Sequence, residues 1–408
     1  MKYSIKNKKS NKINKTKKNL FSWNSLQNNN CKYVNTHVSK SKHKMKKIAL
    51  EEAMVWPTQD TDTIGMENNL ENLITTGKGF DKYNRMLDIT GKRLKEMKEN
   101  NISIQVLSSI PGGLQNLVVK TKEGQVKKAI EVNDYMYNKI KDYPKSFKAF
   151  AALPMRDPKE AAIELERCVK KLGMVGALVN GTDVLYVKDK IGKEKSIMLY
   201  YDTPEYDVLW KKFEELDVPL YMHPTVFMSL NEDLPDNNLL GFYKEYPALT
   251  ASAWGFHIYL AQHIMKLILS GIFDRFPKMK LILGHMGEII PWFAERFDHR
   301  SCVHQLEAKE IDSETLKKYG VTNINFPKLT VTEYLRRNIY ITTSGWFSTS
   351  ALKYCIEKMG IDRIMFSIDY PYEPQKDPSD WLDNLPLTKK NKEKIAYKNA
   401  AKLLKIKV

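Results

Sequence analysis

Glu51, His223, His285 and Asp369 each stand at the end of a short apolar run. Ile48-Ala49-Leu50 stops at Glu51, Pro219-Leu220-Tyr221-Met222 at His223, Leu281-Ile282-Leu283-Gly284 at His285, and Ile364-Met365-Phe366-Ser367-Ile368 at Asp369. Glu51, His223 and Asp369 supply two carboxylates and an imidazole. That set can hold one divalent metal and leave positions open for water or substrate. Its oxygen content suits Mg²⁺ or Mn²⁺ as well as Zn²⁺. His285 is the natural acid/base group beside such an ion, because an imidazole exchanges its proton near neutral pH. A lone Glu or His after a strand is usually a capped or salt-bridged structural group. Four of them at equivalent places weaken that reading.

The elements that must position them alternate. Short runs that are apolar at successive positions predict strands at 46–52, 102–109, 147–153, 174–180, 218–223, 279–285, 338–343 and 363–369. Such runs mark strands buried on both faces, as in a parallel sheet. Between and after them lie predicted helices at 92–100, 125–142, 157–172, 205–216, 256–276, 288–300, 348–359 and 389–404. Asp157 and Pro158 form an N-cap and first-turn pair, and Gly173 and Gly360 are expected C-caps. Eight strands alternating with eight helices predict a (β/α)8 TIM barrel of the α/β class. A doubly wound open sheet also suits the alternation, but no Gly-rich phosphate loop follows the first strand. Catalytic groups of such a barrel gather at the C-terminal ends of its strands. Two insertions, 54–90 after strand 1 and 224–256 after strand 5, extend that face and carry aromatics.

Other residues compete for the site. Trp254, in the second insertion, is a candidate substrate contact. His263 lies on the predicted 256–276 helix near Ile264 and Leu267, and is either a structural histidine or one that projects into the barrel mouth. Arg275 is a candidate for steering an anionic substrate, against a structural ion pair with Asp274. His257 and His299 are weaker candidates. His37, His43 and His304 carry no signal.

The 408 residues are 42% hydrophobic and 11% aromatic, enough for a sizeable core. No stretch approaches about 18 consecutive apolar residues, so no membrane partner is expected. The net charge of +17 is unevenly placed: residues 1–44 contain 12 lysines and no arginine, aspartate or glutamate, leaving +5 for the rest. The basicity is therefore no sign of a nucleic-acid-binding barrel. Residues 1–44, rich in Lys, Asn and Ser, are expected to be a disordered tail, with 45–408 as the barrel. The tail reads as a presequence, as a weak polyanion-binding arm, or as chain upstream of a true start at Met45. Cys31, Cys168, Cys302 and Cys355 are isolated, which suits a reducing, cytoplasmic setting, or an organelle if the tail is a presequence.

At these residues the chain resembles the amidohydrolase superfamily, in the branch of metal-dependent decarboxylases that includes aminocarboxymuconate semialdehyde decarboxylase. It is most similar there to the 2,3-dihydroxybenzoate and γ-resorcylate decarboxylases. The runs that carry the likeness include Ile48-Ala49-Leu50-Glu51-Glu52-Ala53, Tyr221-Met222-His223-Pro224, Phe273-Asp274-Arg275-Phe276-Pro277, Leu283-Gly284-His285-Met286-Gly287-Glu288 and Phe366-Ser367-Ile368-Asp369-Tyr370-Pro371. They occur in order from residue 46 to about 405. The resemblance implies a (β/α)8 fold, one divalent metal (Zn, Mn or Mg) at Glu51, His223 and Asp369, and catalytic roles for His285 and Asp369. It also implies a homodimer or homotetramer acting on a small aromatic acid. Many relatives carry a histidine two residues after the first-strand acid. Here that residue is Ala53, which removes a nitrogen ligand. Trp346 stands where relatives often have a smaller or polar residue.

The activity so implied is non-oxidative decarboxylation of an ortho-hydroxylated aromatic acid. Asp369 would deliver the proton to the ring carbon that bears the carboxylate, assisted by His285. A metal-dependent hydrolase of a lactone or amide could use the same groups, with ring opening in place of carbon dioxide release. A non-catalytic scaffold barrel would not need stoichiometric metal.

Overall fold

The computed structural model describes residues 45–56, 79–109, 113–115, 121–188, 194–225, 252–308, 311–318 and 327–407, together with 119, 191, 192 and 249. The expected tail 1–44 and most of the two expected insertions lie outside the described residues. Eleven strands are found among the described residues: β1 Lys47–Met54, β2 Ile102–Ser109, β3 Phe147–Ala149, β4 Ala151–Ala152, β5 Ala177–Asn180, β6 Asp183–Lys188, β7 Glu194–Leu199, β8 Leu220–His223, β9 Leu281–Leu283, β10 Ile339–Thr342 and β11 Ile364–Met365. All except β6 and β7 pair in parallel. β1, β4, β5, β8, β9 and β11 are buried at every position, as parallel strands covered on both faces must be.

The parallel strands form two sheets, in the orders β1-β2-β3 and β11-β10-β9-β8-β5-β4. β3 and β4 are halves of one segment interrupted at Phe150. The Phe150 N–H donates to Leu107 O at 2.9 Å, and that of Ala151 donates to Gly176 O at 2.9 Å, so this segment joins the sheets. Counted as one strand, it brings the parallel total to eight, in chain order around a TIM-barrel arrangement. The ladders do not close into a full ring. Where β11 and β1 face one another, one bridge, Glu52 to Tyr370, stands in for a ladder. Ser367 Oγ bridges the rest by accepting from Leu50 N at 3.2 Å and Glu51 N at 2.7 Å.

Helices alternate with the strands largely as expected. Asp157 Oδ1 accepts from Lys159 N and Glu160 N, Pro158 opens the helix Pro158–Leu172, and Gly173 ends it at φ 66°. The structure also differs from the expectations. β6 and β7 form an unforeseen antiparallel hairpin between β5 and the helix Asp207–Leu216. Its first residue, Asp183, is buried and held by Arg156 Nε at 2.8 Å and Gln125 Nε2 at 2.6 Å. Helices Val331–Arg337 and Lys376–Asp383 were not foreseen either. β1 does not stop at Glu51 but runs on to Met54, with a register shift between Ala49 and Glu52. An irregularity of that kind re-aims a side chain locally.

Candidate active site

The bulge in β1 carries Glu51, the last residue of β8 is His223, His285 follows β9 and Asp369 follows β11. All four therefore belong to the C-terminal rim of the parallel strands. Glu51 Oε1 lies 3.3 Å from His223 Nε2 and 3.7 Å from His285 Nε2. His285 Nε2 lies 3.7 Å from Asp369 Oδ2. The carboxylate of Glu51 is fully buried and has two differently used oxygens. Oε2 accepts from the Tyr221 hydroxyl and the Ser344 hydroxyl. Among the described residues neither Oε1 nor Asp369 Oδ1 has a geometric hydrogen-bond partner. A buried carboxylate oxygen without a partner is costly.

These orphaned atoms fit a cation. Two ligand atoms about 2.1 Å from one ion, at tetrahedral to right angles, stand about 3.0–3.4 Å apart. The 3.3 Å between Glu51 Oε1 and His223 Nε2 falls in that range. Ligand atoms of Glu51, His285 and Asp369 also lie within 4.8 Å of one another. His285, and not His223, completes that compact group of three among the described residues; His223 adjoins it through Glu51 Oε1. His223 Nδ1 has no hydrogen-bond partner among the described residues.

Two glycines make room for this packing. A Cβ on Gly284 would sit 2.6 Å from Glu51 Oε2. A Cβ on Gly345 would sit 3.1 Å from His285 Cδ2 and 3.3 Å from Asp369 Oδ2.

The electrostatics divide the acids. Burial works against charge on Glu51, but His285 and His223 beside it hold its carboxyl down at about 2. Asp369 goes the other way: burial pushes it above the ordinary aspartate range, and the Glu51 charge adds to this against the pull of His285. His285 also opposes burial. Glu288, Glu51 and Asp369 around it raise its affinity for a proton well above that of a free imidazole. Glu52, next in the chain, is pushed up by burial to about 8, despite the hydrogen bond from Ile368 N and the nearby Arg93.

The segment after β9, expected to begin a helix at 288, is a left-handed turn. His285, Met286, Glu288 and Ile289 have φ of 45°, 56°, 52° and 61°, with Gly287 at 87°. Non-glycine residues pay roughly 1–2 kcal/mol each for that conformation, and strain of this kind gathers at functional sites. The turn places Glu288 Oε1 2.6 Å from His285 Nδ1 and Oε2 2.7 Å from His257 Nδ1. The His257 and His285 rings are 5.6 Å apart, and His257 is 6.3 Å from the Trp346 ring.

Three expected substrate contacts end differently. Arg275 takes the structural alternative, but with another partner: it pairs with Asp207, at 3.1 and 2.9 Å, and donates to Ser270 O at 2.6 Å. It precedes β9, so it belongs to the N-terminal ends of the strands, opposite the rim. Asp274 instead accepts from Tyr334 Oη and Lys328 N. His263 is fully buried, its Nε2 accepts from Tyr201 N at 3.1 Å, and burial lowers it to about 3, so it is a neutral structural residue. Trp254 is 48% exposed at the start of the helix Gly255–Leu269, whose next residues Phe256 and His257 reach the His223 and His285 rings. The sequence does not single out Tyr221, Ser344 or Glu288 for the site, and it marks His257 only weakly. Only the Gly-His-Met-Gly-Glu run carried a signal for Glu288.

Comparison with known proteins supplies an independent view. Residues 88–406 match the family model described as Amidohydrolase. The gamma-resorcylate decarboxylase of Rhodococcus jostii is 35% identical over 362 residues, covering 88% of this chain and 98% of that protein. A crystal structure of 2,6-dihydroxybenzoate decarboxylase complexed with 2,6-dihydroxybenzoate is 33% identical with a TM-score of 0.72, covering 88% of this chain and 99% of that one. A dihydroxybenzoic acid decarboxylase from Polaromonas sp., solved with manganese and the inhibitor 2-nitroresorcinol, is 33% identical with a TM-score of 0.73, covering 88% and 97%.

Proposed function

The chain belongs to the amidohydrolase family, and from that premise we propose that it is a carboxy-lyase: a metal-dependent, non-oxidative decarboxylase of an aromatic acid with a hydroxyl ortho to the carboxylate. The observation that carries this reading is the pair of buried, unpartnered carboxylate oxygens, Glu51 Oε1 and Asp369 Oδ1, on a rim shared with two imidazoles. The substrate class is supported by the names of relatives that decarboxylate γ-resorcylate and bind 2,6-dihydroxybenzoate. Manganese in a related structure supports the metal.

Glu51, His223 and Asp369 would hold the divalent ion. When bound, it neutralises the substrate's carboxylate and phenolate and fixes the ring edge. Asp369 Oδ2, on the rim beside His285 Nε2, is placed to carry a proton to the ring carbon that bears the carboxylate. His285 Nε2, 3.7 Å from Asp369 Oδ2, is placed to return a proton to Asp369 afterwards. Protonation interrupts aromaticity. The carbon–carbon bond then breaks, its electron pair restores the ring, and carbon dioxide leaves. A hydrogen has replaced the carboxylate with no change of oxidation state in any cofactor. Trp254 remains the proposed substrate contact at the rim.

No helix among the described residues is long and apolar enough to cross a membrane. We place the enzyme in the cytoplasm as a homodimer or homotetramer. Trp292 and Phe293, 40% and 60% exposed on one helix, are large apolar groups that a second subunit would cover. Light scattering that reports a monomer would rule out the oligomer.

The test of activity is a panel of ortho-hydroxybenzoates with Mn²⁺, Mg²⁺ or Zn²⁺, run in D₂O. The expected result is carbon dioxide release with one deuterium at the vacated ring carbon. Failure to release carbon dioxide from any member with any metal would overturn the reading.

A further inference from the structure

Glu288 is fully buried, and its two oxygens face two different imidazoles. Burial opposes its charge, but His285 and His257 together hold it down at about 2, so it is ionised and can only accept. Both Nδ1 atoms must then carry hydrogen. For His285 this fixes Nδ1 as a donor and leaves Nε2 as the nitrogen that exchanges protons on the Glu51 and Asp369 side. Geometry adds a second observation. Glu288 sits in the left-handed turn 285–289, which bears its strain at four non-glycine residues. A turn of that kind persists only when its surroundings hold it. His257 reaches it from another element, the helix Gly255–Leu269, and is the only partner among the described hydrogen bonds to Glu288 Oε2.

We propose that His257 is a positioning residue: by gripping Glu288 from the Gly255–Leu269 helix, it fixes the orientation and tautomer of His285 and so sets the rate of proton return. The role in turnover rests on the decarboxylase reading. The coupling of His257 to His285 does not, and can be read without activity.

The experiment compares wild type, His257→Asn and His257→Leu. Asparagine can place an amide donor near where Nδ1 sits. Leucine fills similar space with no donor. In protein labelled with ¹⁵N-histidine, wild type is expected to show downfield, hydrogen-bonded Nδ1 protons for His257 and His285. In His257→Leu the His285 signal should shift or exchange-broaden. In His257→Asn it should stay near its wild-type position. In the decarboxylation assay, His257→Leu should lose about 10-fold to 100-fold in kcat, the range typical of lost outer-shell support, with KM within about twofold, and His257→Asn should recover most of the loss. An unmoved His285 signal in His257→Leu would overturn the proposal. So would equal losses of kcat in the two variants, because packing and not the donor would then be what matters. If wild type decarboxylates nothing but the resonances respond as stated, the functional reading fails and the coupling stands.

Discussion

Gly284→Ala adds one methyl group at the most crowded point of the site. Gly284 has φ −72° and ψ −173°, a conformation alanine adopts freely, so the backbone carries no penalty. The methyl carbon would lie 2.6 Å from Glu51 Oε2, 3.1 Å from Ser344 Oγ and 3.3 Å from Glu288 Oε1, where ordinary contact begins at 3.4 Å. The Glu51 oxygen must therefore retreat by about 0.8 Å, beyond the roughly 0.5 Å within which a functional group must be held. Retreat also loosens the hydrogen bonds from Tyr221 and Ser344, charge-assisted contacts of about 1.5–3 kcal/mol each. A displacement of about 1 Å can cost about 10²-fold in rate, and overpacking costs about 1–3 kcal/mol in stability. We expect kcat/KM to fall about 100-fold and Mn²⁺ affinity at least tenfold, with near-native circular dichroism. Carbon dioxide release, Mn²⁺ titration and urea unfolding would be measured together. Gly173→Ala is the control: its methyl meets nothing within 4 Å but sits at φ 66°, so it should lower stability alone. A folded Gly284→Ala protein with wild-type rate and metal affinity would refute the reasoning.

Other perturbations separate the roles of neighbouring groups. Tyr221→Phe removes one donor to Glu51 Oε2 while Ser344 remains, and about 1.5–3 kcal/mol corresponds to a Mn²⁺ affinity lower by roughly 10-fold to 100-fold; unchanged binding in a titration would show that Tyr221 does not orient the carboxylate. Glu52 keeps its proton to about pH 8 in the folded chain but loses it near 4.5 when unfolded, so metal-free protein should lose stability as pH rises between those values. At about 1.4 kcal/mol per pH unit the loss is bounded at roughly 5 kcal/mol. Urea midpoints of Glu52→Gln should lack that part of the slope, and parallel wild-type and variant curves would contradict it. Arg275→Ala should weaken stability through its Asp207 pair and leave KM unchanged; a raised KM would return Arg275 to the substrate site. Deleting residues 1–44 should leave rate and melting temperature as they were, and a loss of either would make the tail part of the folded unit.

The rim was legible because a strand buried on both faces is apolar throughout, so a charged residue where it ends stands out. That logic found Glu51, His223, His285 and Asp369. It misplaced the end of β1, because Ala53-Met54 continues the strand past a bulge that no residue type announces. His257 and His263 show what spacing on one helix cannot decide. They are six residues apart and face different neighbours: one meets Glu288, the other the Tyr201 amide. The apolar neighbours of His263 marked it as buried, and burial made it structural. Glu288 was hidden for another reason: a left-handed turn with one glycine reads as the first turn of a helix. The hairpin Asp183–Leu199 escaped because its charged ends, Lys188 and Glu194, break the apolar pattern that marks the other strands.

The central claim is that Glu51, His223 and Asp369 share one divalent ion. Metal analysis of Mn²⁺-loaded, dialysed protein tests it, with wild type beside Glu51→Gln and His223→Ala. One ion per chain in wild type, and well under one in both folded variants, is the predicted result. No bound ion in wild type, or full occupancy in either variant, would contradict the account.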